Sequence, residues 1–403
     1  MKKEPGLIEK SYNKLKTTGL ILLFFTIISS SLIAQEKSVI IAGPYLQHVT
    51  QTSIVIMWET DMPSTSTVKF GKARFHKDKS NAPLDQQLTS DKLNTIHELV
   101  LENLVPESDY FYQVYSHNKD GQDIDSDVLT FQTAVLESSP YAYVVIGDNR
   151  TYPDRFKKLM ELAYAERPNF VVNVGDVVTD GKIKEQWITE YLAPASKLME
   201  RVPTYVAIGN HERNSKWFYS YVSYPGKENY YSFDYGNAHF TIVDSNKGLS
   251  PGSRQYEWIK NDLASSKAKW KFVAHHHPPY SSDKDDYGNT DIGLSKRGSP
   301  SVQSLIPLYE AYNVDIVWCG HIHDYERTWP IRNGKVDQDS GVIYIQSGGG
   351  GAELEEFAPT RSWFTAKLLR YWQYCLVTIH DGTLEMKAYD IDGKLYDFLE
   401  IKK

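Results

Sequence analysis

Cysteine is almost missing: two thiols in 403 residues, Cys319 and Cys375, exclude a disulfide framework. Both lie in apolar stretches, DIVWCGH and YWQYCLVTI, and read as buried thiols rather than nucleophiles. Runs of Lys and Arg are missing too. With a formal net charge of −7, the chain has no basic patch to offer nucleic acid or an anionic membrane surface. Long apolar runs are confined to one place. GLILLFFTIISSSLIA, residues 19–34, is shorter than the ~20 apolar residues a spanning helix needs. It follows Lys2, Lys3, Lys10, Lys14 and Lys16 and ends on Ala34, so 1–34 reads as a signal peptide of an exported (periplasmic or secreted) protein. Leu32 is a poor residue three before that cleavage point. The alternative is an uncleaved N-terminal anchor with the folded part facing outward, the only membrane contact expected.

Residues 38–135 lack any helical period. SIVIMWET, STVKFGKA, IHELVLENL, YFYQVYSHN and LTFQTA are strand-length segments rich in Val, Ile, Thr, Tyr and Phe, spaced as in an all-β sandwich. No cluster of metal-seeking side chains occurs there, and the part reads as a structural or recognition module. From 138 to 403 strands alternate with amphipathic helices, the pattern of an α/β domain with a largely parallel core. PDRFKKLMELAYAER places Phe156, Leu159, Met160 and Ala163 on one face with Pro153 in the first turn. SRQYEWIKNDLASS does the same with Tyr256, Ile259 and Leu263. YCLVTI, TLEMKAYD and LYDFLEI, joined at Asp381-Gly382 and Asp392-Gly393, predict a closing antiparallel meander.

Six apolar runs in this second part end in polar side chains: YAYVVIGD at Asp148, NFVVNVGD at Asp176, TYVAIGNHE at Asn210 and His211, HFTIVD at Asp244, KFVAHHHPP at His275–His277, and DIVWCGHIH at His321 and His323. Ligands in open α/β sheets bind beyond the carboxyl ends of strands. Asp, Asn and His are the donors that suit Zn, Fe or Mn. Taken singly, Gly-Asp is often a turn and Asn210 is a plausible helix cap. Three adjacent histidines have no use in a core, and His321 and His323, two apart in an extended stretch, would point to one side. Jointly the clusters predict a two-metal hydrolase.

At these residues the chain resembles the calcineurin-like metallophosphoesterases, and most closely the purple acid phosphatases. Gly147-Asp148, Gly175-Asp176, Gly209-Asn210-His211-Glu212, Val273-Ala274-His275-His276 and Gly320-His321-Ile322-His323 meet the family pattern. GPYLQ, Trp58 and TFQTA resemble the fibronectin type III-like domain that precedes the catalytic domain in those enzymes. The resemblance implies two divalent metal ions. Asp148 and His323 would hold the first, Asn210, His276 and His321 the second, and Asp176 would bridge them. Catalysis would rest on Asp176 and His211, with His211 contacting the phosphoryl oxygen or protonating the leaving group. His277 or His275 would assist, and Asp244 would be structural or orient a ligand histidine.

Two residues depart from the pattern. Thr179 stands where the purple enzymes place a tyrosine ligand, which predicts a colourless enzyme with divalent Fe, Zn or Mn. Arg150 replaces a glycine. It either clamps the substrate oxyanion or pairs with an acidic neighbour. The stretch 280–301 and Gly348–Gly351 are expected to flank the site, and Trp329, Trp363, Phe364 and Tyr371 form either an aromatic rim or core. The predicted activity is hydrolysis of a small-molecule or saccharide-linked phosphate monoester. A phosphodiester or sulfate ester is the alternative, and a non-catalytic binding protein the remote one.

Overall fold

The computed structural model describes residues 38–73, 82–284, 286–287 and 297–403. The leader expected over 1–34 lies outside them. Among the described residues no helix is long and apolar enough to cross a membrane.

An all-β domain comes first. The two segments expected around Trp58 and Lys69 form one strand, Ile54–Lys72. Its register against Gln86–Leu101 breaks between Glu59 and Ser64. Such an irregularity bends a strand from one sheet of a sandwich to the other. The first half pairs with Ile40–Gln47 and the second with Asp109–His117, all antiparallel. Trp58 is fully buried and stacks on His97 at 4.7 Å.

The α/β domain is built from two mixed sheets. In one, the parallel strands Tyr141–Ile146, Phe170–Asn173 and Thr204–Val206 join the predicted meander, Gln373–His380, Thr383–Asp390 and Leu395–Lys402. In the other, Ala238–Ile242, Trp270–Ala274, Ile316–Cys319 and Ile343–Ser347 run parallel, and Tyr231–Tyr235, Tyr325–Thr328 and Thr365–Leu369 are antiparallel additions. The sheets face each other through aromatic rings: Tyr143 meets Phe240 at 5.2 Å, Phe272 at 5.7 Å and Trp318 at 6.3 Å. Each such side chain buries 150–250 Å², so this seam anchors both sheets in one core.

Helix Pro153–Ala165 covers the first sheet with Phe156, Leu159, Met160 and Ala163 buried, as their spacing predicts. Helix Arg254–Ser265 buries Ile259 and Leu263, and Ser253 caps it by accepting from the Tyr256 N–H. The β domain and the first sheet share one hydrophobic cluster. Tyr45 and Tyr112 donate to the carbonyls of Tyr221 and Glu200, and the buried Glu59 pairs with Lys184.

Candidate metal centre

All six polar strand ends lie at carboxyl termini of parallel strands, so two sheets packed face to face bring their ligand turns to one edge. These turns are unusually close. A side-chain carbon at Gly209 would collide with Asp176 Oδ1, and one at Gly320 with Asp148 Oδ2. Asp148 and Asp176 themselves take positive φ, 57° and 55°, which turns each carboxylate back over its strand end at a steric cost.

Around His276 the predicted second-metal residues converge. Its Nδ1–H donates to the Val174 carbonyl at 2.9 Å, which leaves the Nε2 lone pair facing the site. That nitrogen lies 3.0 Å from Asn210 Oδ1, 3.3 Å from Asp176 Oδ1 and 3.3 Å from His321 Nδ1. Burial disfavours charge on His276, yet the carboxylates of Asp176 and Asp148 raise it to about 10. The site therefore draws positive charge strongly. Asp176, His276 and His321 offer ligand atoms within 4.8 Å of one another, and with Asn210 they fit a divalent cation of the Zn, Fe or Mn kind.

The stretch is not extended at His321, contrary to expectation: its φ is 74°, so the chain turns there, and the two imidazoles meet different partners. His321 Nε2 faces Asp286 Oδ2 at 3.3 Å. His323 donates through Nδ1 to the Glu353 carbonyl at 2.7 Å, and its Nε2 stands 3.8 Å from Asp148 Oδ1. That oxygen is buried without a hydrogen-bond partner, and burial pushes the Asp148 carboxyl well above its usual range.

Arg150 enters here. Its Nη2 donates to His323 Nε2 at 3.2 Å, and its Nε lies 3.6 Å from Asp176 Oδ2. The guanidinium thus stands between His323 and Asp176, two of the three residues expected around a first ion.

The remaining histidines divide by side of the strand. His211 donates through Nδ1 to the Thr179 carbonyl at 2.6 Å and points Nε2 towards Asp176 Oδ2, 3.8 Å away. Burial lowers its pKa, and Asp176 opposes that shift. His277 packs against the His321 ring at 4.4 Å between centroids, with Nδ1 2.8 Å from Ser245 Oγ. Burial, then His276, holds it down at about 2, hence neutral. His275 points the other way and packs on Tyr309 in a separate hydrophobic cluster.

Glu212 carries the most weight among residues without a predicted role. Fully buried, it accepts from the N–H groups of Asp176 (3.1 Å), Val177 (2.7 Å) and Gly209 (2.5 Å), and so ties the Asp176 turn to the Asn210 turn. Its place in Gly209-Asn210-His211-Glu212 was its only sequence signal. Asp286 had another, the Asp-rich stretch after the histidine run, of which 285 and 288–296 lie outside the described residues.

Asp244 touches no ligand histidine. It accepts from Asn229 and Asn246, and Asn246 in turn holds the Ile208 and Gly209 carbonyls. Gly350 and Ala352 donate to the Gly147 and Asp148 carbonyls, so the glycine loop buttresses the Asp148 turn. Thr179 turns its hydroxyl to Glu190 (2.9 Å) and Thr151 (3.1 Å). Of the proposed rim, Phe364 is fully buried core, whereas Trp329 and Trp363 are exposed. Tyr371 donates to Asp392. Cys319 and Cys375 are buried free thiols.

Comparison with known proteins follows the same lines. A family model described as "Calcineurin-like phosphoesterase" matches residues 141–325, and one described as "Purple acid Phosphatase, N-terminal domain" matches 43–133. "Probable inactive purple acid phosphatase 1" of Arabidopsis thaliana is 28% identical over 363 residues, covering 76% of this chain and 58% of the relative. "Purple acid phosphatase 21" of the same plant is 28% identical over 336 residues, covering 79% and 71%. The chain spans 55–58% of the length of the first-named relative and of two further Arabidopsis thaliana relatives, "Probable inactive purple acid phosphatase 27" and "Probable inactive purple acid phosphatase 24". A purple acid phosphatase from yellow lupin (Lupinus luteus) seeds shares the fold, with a TM-score of 0.75 at 21% identity over 89% of this chain and 74% of that one. With both models matched in order over an all-β and an α/β domain, the chain carries a calcineurin-like phosphoesterase domain preceded by a purple acid phosphatase N-terminal domain.

Proposed function

We propose that this protein is a metal-dependent hydrolase of phosphate monoesters, releasing an alcohol and inorganic phosphate. The observation that carries this reading is the meeting of Asp176, Asn210, His276 and His321 at 3.0–3.3 Å around one imidazole nitrogen. A divalent Fe, Zn or Mn ion held there would supply Lewis acidity to the phosphoryl group and acidify a water. The chain's own residues do the rest. Arg150 presents fixed positive charge to the phosphoryl oxygens. His277, neutral and seated on Ser245, offers Nε2 to the substrate. His211, oriented by the Thr179 carbonyl, turns Nε2 towards the departing oxygen and, when protonated there as the imidazolium, delivers that proton to it. Val174, Thr179 and Glu353 fix the imidazoles through their carbonyls, as outer partners of metal-site histidines do.

Export is part of the proposal, supported by the lysines and apolar run before Ala34. So is a small, organic or saccharide-linked leaving group. Aryl phosphate monoesters, diesters and an aryl sulfate, each assayed before and after chelation, test the reading. Monoester turnover that disappears with chelator and returns with Zn or Mn is the expected result. Faster turnover of the diester or sulfate would reassign the substrate, and turnover indifferent to chelation would remove the metal.

A further inference from the structure

We infer that the Arg150 guanidinium replaces the first metal ion, so that this chain holds a single divalent ion, at Asp176, Asn210, His276 and His321. The inference rests on the metal-dependent reading above but departs from the two-ion complement that the family's fold implies.

The His323 Nδ1–H is committed to the Glu353 carbonyl at 2.7 Å, so Nε2 has one lone pair, in the ring plane, and no proton. A metal on that nitrogen would sit ~2.0–2.1 Å along the lone pair. Arg150 Nη2 already donates into that lone pair from 3.2 Å. An ion placed between them would lie far inside the nitrogen's contact distance.

The bridging carboxylate is divided in the same way. Asp176 Oδ1 faces His276 Nε2 at 3.3 Å and the His211 N–H at 2.9 Å. Asp176 Oδ2 faces Arg150 Nε at 3.6 Å. One oxygen thus serves the ion and the other the guanidinium. Thr179, bound to Glu190 and Thr151, brings no further ligand to this side.

The guanidinium also brings a permanent positive charge to the buried Asp176 carboxylate on the side away from His276. Arginine is suited to the post, because it stays charged at any physiological pH and its planar fork meets two acceptors at once.

Equilibrium dialysis of the full chain against Mn²⁺, with metal counted by mass spectrometry and the bound ion observed by electron paramagnetic resonance, decides the matter. Wild type is expected to saturate at one ion per chain, with the six-line spectrum of an isolated Mn²⁺. His323→Ala is expected to keep that one ion, because His323 serves the guanidinium. Arg150→Gly is expected to bind two, with an exchange-coupled spectrum. Two ions in wild type, or loss of an ion in His323→Ala, would overturn the inference and leave the hydrolase reading standing. A single ion in a folded Arg150→Gly protein would show that Arg150 is not what excludes the second. No bound ion in wild type would remove the metal-dependent reading and this inference with it. Wild type and His323→Ala suffice if Arg150→Gly does not fold.

Discussion

Removing the Glu212 carboxylate should damage both the fold and the metal site, by an amount the hydrogen bonds set. Glu212→Ala strands three buried N–H donors, those of Asp176, Val177 and Gly209. Each unsatisfied buried donor costs ~1–3 kcal/mol. Water entering the vacated space would recover part of that, so we expect about 3–5 kcal/mol, a large share of the ~5–15 kcal/mol that stabilises a typical protein. Glu212→Gln is the control. Oε2 takes two of the donors and Oε1 one, so an amide oriented to keep both bonds on its oxygen loses only the Val177 contact. Its expected cost is about 1–2 kcal/mol. Denaturant unfolding of the three proteins, followed by Zn²⁺ titration, reads both effects. Metal affinity should fall in the same order, because the Asp176 and Asn210 turns are no longer tied together. A loss below about 1 kcal/mol in Glu212→Ala, or equal losses in both variants, would refute the count of stranded donors as the cause.

Three further outcomes follow from the same geometry. His211→Gln should slow turnover by ~10²–10⁴ for an alkyl phosphate and far less for an aryl phosphate with a good leaving group; equal losses on both would deny it the proton-donor role. Iron-loaded protein should show no tyrosinate-to-iron band in the visible spectrum, since Thr179 stands at the phenolate position with its hydroxyl on Glu190; a strong band would contradict this. His239 gives a pH signature remote from the centre. Burial disfavours its charge, but Asp234 at 2.7 Å and Asp262 at 3.0 Å raise it to about 9 from 6.5. Folding is therefore favoured by its protonation: the stabilisation is full below pH 6.5 and lost as pH rises through about 9. It amounts to about 3 kcal/mol at ~1.4 kcal/mol per pKa unit. Unfolding free energies at pH 6.5 and 9.5 should differ by about that much in wild type and much less in His239→Gln.

Much of the architecture could be read from local pattern. Strand runs rich in Val and Ile with a polar residue just past the end mark Asp148, Asp176, Asn210 and His276 because a parallel strand buried on both faces must be apolar until it leaves the sheet. The helix face of Phe156, Leu159, Met160 and Ala163 and the meander around Asp381-Gly382 followed from period and turn chemistry. The single strand Ile54–Lys72 did not, because a bend within a strand and a turn between two strands carry the same residues, Asp61 to Ser64. The turn at His321 was hidden for a similar reason. Its positive φ is imposed by packing against Asp148, whose Oδ2 accepts the His321 N–H at 2.9 Å, and not by a glycine or asparagine at that position.

By itself, the order of residues determined the two-domain organisation, the strand ends that carry ligands and the chemical kind of those ligands. These are properties of composition and spacing along one chain. The tertiary structure alone decided which carbonyl orients each imidazole, that Glu212 ties two ligand turns together, and that Arg150 lies between His323 and Asp176. Those contacts join residues from 3 to 173 positions apart, and a partner chosen across such distances depends on how two sheets meet, which no local spacing records.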